Sequence, residues 1–247
     1  MQTLLLNRKY MLILLAVSSL LLYCVDYLLL GSLRELTVWF LGNLAFLPLY
    51  VMFVTMMIEQ VMRERERQAV MRKLNMVIGV FYSEVGNELL RKLSNCVERS
   101  SELKRHLLIT GSWTDTDYAA ALTYLQTTDV CMINSCADLQ DLKTFLVARR
   151  SFLVGLLENQ NLLEHELFTD LLWAVFHLVE ELEARTSFDD LPKTDSDHID
   201  GDMKRVFGHL SREWIQYMQH LRKDYPYLFS LAVRLNPMID QRDARVY

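Results

Sequence analysis

Two long apolar segments near the N-terminus place the strongest constraint on how this chain can fold. Residues 10–30 contain a single formal charge, Asp26, and residues 36–58 contain none. At about 1.5 Å per helical residue, each segment is long enough to cross about 30 Å of hydrocarbon. The link between them, residues 31–35, is so short that it can only join antiparallel neighbours. The sequence therefore predicts a transmembrane helical hairpin with spans at about 10–30 and 36–58.

The basic residues around the hairpin predict its orientation. Arg8 and Lys9 precede the first span, and the link holds only Arg34. A basic collar follows the second span and consists of Arg63, Arg65, Arg67, Arg72 and Lys73. The positive-inside rule then predicts a multi-pass protein of the cell inner (plasma) membrane with both termini in the cytoplasm. Cleavage of a signal peptide before Cys24 is disfavoured, because Tyr23 is too bulky for a cleavage site.

The collar and the polar residues within the spans are the first candidate functional residues. The collar is suited to anionic lipid headgroups, although a solvated helix face is an equal alternative. Asp26 could bind an ion or a proton, but its shallow position favours an interfacial carboxylate that reaches water or pairs with Arg34. Pro48 predicts a kink in the second span, and Asn43 could hydrogen-bond to a neighbouring helix. A pore lined by the second span is the alternative, and it would need several copies of the chain.

The rest of the chain is predicted to be helical. The sequence has only 8 Gly and 4 Pro, and no Pro lies between Pro48 and Pro192. Residues 60–110 are predicted to form the collar and a stalk helix, and residues 111–247 a bundle that the stalk completes. The apolar stripe of the stalk has helical spacing and consists of Leu74, Ile78, Phe81, Val85, Leu89, Leu93 and Cys96.

Turn and capping signals divide the bundle into helices. Thr114 and Asp117 predict a helix start by their capping-box spacing. Helices are expected at about 115–133, 137–158, 162–185, 203–224 and 226–234, and the polar residues 186–202 are expected to form a loop. The predicted fold class is therefore all-α, an N-terminal transmembrane helical hairpin followed by a cytoplasmic bundle of about five or six helices.

Charge and motifs exclude several functions. Residues 74–247 hold 18 Lys and Arg against 26 Asp and Glu, a net charge of −8, which does not suit nucleic acid. The cysteines lack zinc-finger spacing, and the acidic residues 195–202 match a calcium loop poorly. His177 with Glu180 does not form a di-iron motif, and His177 lies opposite the apolar stripe of its own helix. No catalytic residue, metal site or cofactor is predicted.

The C-terminal segment 225–237 is the most distinctive stretch of the chain. Its residues, Tyr225-Pro226-Tyr227-Leu228-Phe229-Ser230-Leu231-Ala232-Val233-Arg234-Leu235-Asn236-Pro237, form a signature of the pattern Y-P-Y-L-F-S-L-A-x-R-x-N-P. This signature resembles that of uncharacterised bacterial membrane proteins that pair two N-terminal spans with a helical cytoplasmic domain. The resemblance implies that layout and carries no function. The segment could seal the bundle, or it could be a partner-binding edge formed by Tyr225, Tyr227, Phe229 and Arg234.

Taken together, these features predict a non-enzymatic interaction or regulatory module that is anchored in the lipid bilayer. We expect a homo-oligomer that associates through its spans or its stalk, with a cytoplasmic protein as a possible further partner. The alternatives are a subunit of a small oligomeric channel or transporter, with Asn43 and Pro48 in the conducting helix, and a membrane-surface enzyme without a recognisable motif.

Overall fold

The computed structural model describes residues 13–14, 17–25, 27–28, 33–132, 138–159, 162, 165–239 and 241–246. Within these ranges the secondary structure is helical, with one isolated antiparallel bridge between Val97 and Met132 and no β-strand. The predicted all-α fold is therefore confirmed. Arg8, Lys9 and Asp26 lie outside the described residues. The chain divides into two compact units, Met1–Arg67 and Gln68–Tyr247.

The second predicted span lies within one long helix. This helix, α1, runs from Leu33 to Phe81 with Pro48 inside it, and it continues through the basic collar. Residues 17–25, within the first predicted span, are also helical. Among the described residues, a single helical stretch, Thr37–Asn95, is long and apolar enough to cross a membrane. The hairpin of two spans therefore stays a prediction.

The predicted stalk is helical but is not one helix. After α1 come a π-helical turn, Tyr82–Gly86, and the helices α2, Asn87–Asn95, and α3, Ser100–Leu107. The chain leaves the helical path beyond α2, where the backbone N–H of Cys96 donates to the carbonyl of Leu93 and that of Glu98 donates to the distant carbonyl of Cys131, both at 3.0 Å. The predicted apolar stripe is nevertheless confirmed, since all seven of its residues are buried.

Four helices follow, and two of them replace one predicted helix. Helix α4, Asp115–Thr127, begins at the predicted capping box, where the N–H of Thr114 donates to the carboxylate of Asp117 at 2.6 Å. Helices α5, Leu139–Val147, and α6, Arg150–Leu157, divide the predicted helix 137–158. The break lies at Arg149, whose guanidinium Nε donates to the carbonyl of Glu84 at 2.8 Å. Helix α7 spans Glu166–Ala184.

The last two helices correct one prediction. Helix α8 spans Lys193–Asp224, and α9 spans Pro226–Arg234. The prediction that residues 186–202 form a loop is wrong for residues 193–202, since α8 begins directly after Pro192 and buries Ile199 completely. Helix α8 is the centre of the second unit, because α2, α4, α7 and α9 all pack against it.

Candidate functional site

The first candidate surface is the apolar part of α1. Every side chain from 37 to 67 is exposed, including large ones such as Trp39 at 68%, Phe46 at 62% and Phe53 at 70%. Asn43 and Pro48 lie on this exposed stretch, and no charge occurs between 37 and 58. Between residues 37 and 58, α1 therefore presents an uncharged and largely apolar surface.

The basic collar is exposed as well. All five of its residues, Arg63, Arg65, Arg67, Arg72 and Lys73, have exposed side chains. Arg63 pairs with Glu59 one turn earlier at 3.1 Å, an exposed pair that contributes little to stability. The collar can therefore present positive charge to solvent or to anionic headgroups.

The predicted C-terminal edge is only partly a surface. Tyr227 is 72% exposed and Tyr225 is half-buried, but Phe229 is buried in the core. Arg234 donates to the carbonyl of Ala244 at 3.0 Å and to the hydroxyl of Ser230 at 2.8 Å, so its donors serve the fold. Asn236 is completely buried.

A groove with a volume of about 500 Å³ lies beside this edge, between the end of α1, α8 and α9. Its apolar lining includes Met76, Val80, Tyr217, Leu228 and Leu231. Four of these, all except Tyr217, have exposed side chains. The groove therefore continues into an exposed apolar face of the second unit.

A cluster of titratable residues that the sequence did not predict lies across α7 and α8. It consists of His177, Glu181, His198 and Asp202, and one ligand atom from each lies within 4.8 Å of the others. The Nε2 atoms of both histidines lie 3.4 Å from Oδ2 of Asp202. Glu181 lies 3.8 Å from His177 and 3.6 Å from His198.

Two arginines hold the carboxylates of this cluster. Arg205 donates to Oδ1 of Asp202 at 2.8 Å, and Arg185 donates to Oε2 of Glu181 at 2.7 Å. The hydrogen bond from Arg185 lowers the pKa of Glu181, so this carboxylate is ionised at neutral pH. Arg185 also pairs with Asp195 in the first turn of α8 at 2.6 Å.

The pairing of histidines with acids was hidden by two features of the sequence. The acid that contacts His177 is Glu181, four residues later, whereas the di-iron spacing pairs His177 with Glu180. The other pair, His198 with Asp202, lies in the segment that was predicted to be a loop. Four histidines of this sequence are followed four residues later by an acid, so the spacing alone does not pick out the cluster. It could have done so only if the helical start of α8 and its packing on α7 had been recognised.

Comparisons with known proteins identify relatives. The family model described as "Uncharacterized protein MJ1433, C-terminal helical domain" matches residues 70–234, and the model described as "MJ1433, N-terminal helical domain" matches residues 5–62. The chain is 39% identical over 234 residues to "Uncharacterized protein MJ1433" of Methanocaldococcus jannaschii, and the alignment covers 94% of each chain. No solved structure matches the chain.

Proposed function

This chain belongs to the MJ1433 family of helical proteins, and we propose that it is a membrane-anchored regulatory module without a catalytic site. Its anchor is the N-terminal hairpin, with spans at about 10–30 and 36–58 and both termini in the cytoplasm. The helical domain that follows the anchor carries the regulatory function. The observation that carries the proposal is the exposed, uncharged surface of α1 between residues 37 and 58.

The free energy of hydration explains why this surface requires lipid. Soluble proteins rarely expose contiguous apolar patches larger than a few hundred Å². Here the exposed apolar surface surrounds a helix whose uncharged part is about 33 Å long, close to the hydrocarbon thickness of a bilayer. Because α1 satisfies its backbone hydrogen bonds internally, apart from the one that Pro48 removes, it can enter hydrocarbon at low cost.

Reporter fusions and extraction test the anchor together. A reporter that is active only in the cytoplasm should be active when fused after Tyr247, and a reporter that needs export should be active when inserted in the link 31–35. The protein should stay in the membrane fraction after alkaline washing and dissolve only in detergent. An exported C-terminus, or full-length protein that is soluble without detergent, would contradict the proposal.

We further propose that the self-association expected through the spans or the stalk uses the stalk, at the apolar groove face beside the end of α1, with a second copy of the chain as the occupant. The support is the exposure of Met76 at 67%, Val80 at 50%, Leu228 at 41% and Leu231 at 40%. These side chains line one groove and come from helices that are distant in sequence. Burying them against the same face of a second copy satisfies both chains at once.

The mass of the full chain in lipid nanodiscs tests self-association. We expect the wild type to be a dimer or larger, and the pair of substitutions Val80→Asp and Leu231→Asp to convert it to a monomer. Leu108→Asp, at an exposed apolar position outside the groove, is the matched control and should leave the mass unchanged. A monomeric wild type, or an oligomer that resists both groove substitutions, would rule out this interface.

A further inference from the structure

We propose that His177, Glu181, His198 and Asp202 form a binding site for a divalent transition-metal ion of the zinc class. The four residues supply two imidazole nitrogens and two carboxylate oxygens, with one ligand atom from each within 4.8 Å of the others. All four residues lie far along the chain from the predicted spans, and none of them lines the groove. The site is therefore independent of the membrane anchor and of the groove face.

The placement of the ligands follows from helix geometry. His177 and Glu181 lie one turn apart on α7, as do His198 and Asp202 on α8. His177, the earlier residue on α7, contacts Asp202, the later residue on α8. Glu181, the later residue on α7, contacts His198, the earlier residue on α8. The helices are therefore antiparallel here, and two turns of each present all four side chains to one point.

The distances are close to those that a small tetrahedral ion needs. Zinc binds nitrogen and oxygen at about 2.0–2.1 Å, which puts ligand atoms about 3.3 Å apart in a tetrahedron. The Nε2 atoms of both histidines lie 3.4 Å from Oδ2 of Asp202. Glu181 approaches them with different oxygens, Oε1 at 3.8 Å from His177 and Oε2 at 3.6 Å from His198. All four ligand atoms lie within 4.8 Å of one another, so side-chain adjustment around a bound ion would complete the coordination.

Asp202 supplies the observation that points to a cation rather than to a surface ion-pair network. Its side chain is only 2% exposed, and Arg205 donates to Oδ1. Oδ2 is buried, accepts no hydrogen bond from the described residues, and faces the Nε2 atoms of both histidines. A buried carboxylate oxygen that accepts no hydrogen bond is costly, and a metal ion between it and the two histidines would satisfy it.

The surroundings also favour a metal site. His177 and His198 are 43% and 52% exposed, so an ion can enter from solvent while Asp202 forms the closed base of the site. Arg205 and Arg185 orient the carboxylates from outside, as the supporting residues of metal sites do. Two nitrogen ligands favour Zn²⁺, Co²⁺ or Ni²⁺ over Ca²⁺ and Mg²⁺, which prefer oxygen alone.

The test is a titration of the full chain in detergent, after chelator treatment and removal of the chelator. Zn²⁺ competing with a chromophoric indicator should show one saturable site per chain, and Co²⁺ should give the intense visible absorption of tetrahedral coordination. Millimolar Mg²⁺ should not displace either ion. Absence of saturable Zn²⁺ binding would overturn the proposal and leave the cluster as an ion-pair network.

Variants locate the site. His198→Ala alters an exposed side chain and should weaken Zn²⁺ binding at least about tenfold, whereas His177→Ala with His198→Ala should abolish it. Arg205→Gln tests the positioning of Asp202 and should weaken binding about 10-fold to 100-fold without changing the stoichiometry.

The matched control is Asp224→Asn. His220 and Asp224 form another histidine–acid pair one turn apart, with Nδ1 and Oδ2 at 2.8 Å, but they lie outside the cluster. Zn²⁺ affinity should not change in this variant. If binding survives the double histidine substitution, or depends on Asp224 instead, the assignment of the site is wrong.

Discussion

Replacing Glu213 with glutamine should stabilise the protein at neutral pH and have a much smaller effect in acid. Glu213 lies on the central helix α8 and is only 3% exposed, and its Oε2 atom has no hydrogen-bond partner among the described residues. Burial raises the pKa of this carboxyl to about 7 from an ordinary value of 4.5. The folded protein therefore holds a proton on Glu213 that the unfolded chain releases near pH 4.5.

The sign and the size of the effect follow from this difference in pKa. Below pH 4.5 both states are protonated and the carboxyl carries no ionisation penalty. As the pH rises from 4.5 to 7, the unfolded state gains stability by ionising, so the free energy of unfolding falls. A difference of 2.5 between the two pKa values corresponds to about 3 kcal/mol above pH 7. Glutamine cannot ionise, so Glu213→Gln should recover about that amount.

Thermal unfolding in detergent, followed by circular dichroism at several pH values, is the assay. For a domain of this size, about 3 kcal/mol should raise the Tm by roughly 6–12 °C at pH 8 relative to the wild type. The difference in Tm between Glu213→Gln and the wild type is measured at pH 8 and at pH 4.5, and these two differences are compared. A new amide in the core adds the same offset at every pH, so it does not affect this comparison.

An exposed carboxyl provides the control. Glu98→Gln changes a side chain that is exposed, so its effect on the Tm should be small at every pH. The reasoning is refuted if the difference in Tm between wild type and Glu213→Gln is the same at pH 4.5 and pH 8, because the carboxyl would then have the same pKa in both states.

Four further predictions address the fold, the metal site and the membrane part. Asn236→Ala should lower the free energy of unfolding by about 1–3 kcal/mol, measured by thermal unfolding, because it removes the bonds to the carbonyl of Ile109 and to the N–H of Met238. Gly86→Ala should cost a similar amount in the same assay, about 1–3 kcal/mol, since its Cβ would lie 2.5 Å from the ring of Tyr82; an unchanged Tm would show that the π-helical turn can adjust. Amide hydrogen exchange of residues 193–202 should slow when Zn²⁺ is added, and Arg185→Gln should speed it in the absence of metal; equal rates with and without Zn²⁺ would mean that the ion does not couple to the start of α8. Liposomes that contain the purified protein should show no ion flux, and a selective current that changes with Asn43→Ala would instead support the channel alternative.

Helical periodicity alone was enough to locate much of the core. Apolar residues that recur every three or four positions lie on one face of any helix, whatever packs against them. The stripe of the stalk, for example Leu89 and Leu93, is therefore buried as the pattern predicts. The capping box of Thr114 was equally predictable, because it depends on atoms within one turn of the chain.

Breaks in helices were much less predictable. A hydrogen bond between Glu98 and Cys131 lies just beyond the end of α2, and one between Arg149 and Glu84 lies at the break before α6. In each case the partner lies more than thirty residues away along the chain. Contacts with distant residues leave no local signal, so one stalk helix and one helix over 137–158 were predicted where the structure has shorter ones.

Sequence by itself determined the all-α class, the uncharged stretch of α1 and the faces that become buried, because each depends only on local spacing and on the solvation of individual side chains. Tertiary structure decided where α8 begins and which polar residues meet. Residues 193–202 are polar and contain Gly201, so their own propensity favours a loop. They become helical because Ile199 is buried in the core and Arg185 holds Asp195. That helical start brings His198 and Asp202 to His177 and Glu181, a meeting of side chains that no local pattern encodes.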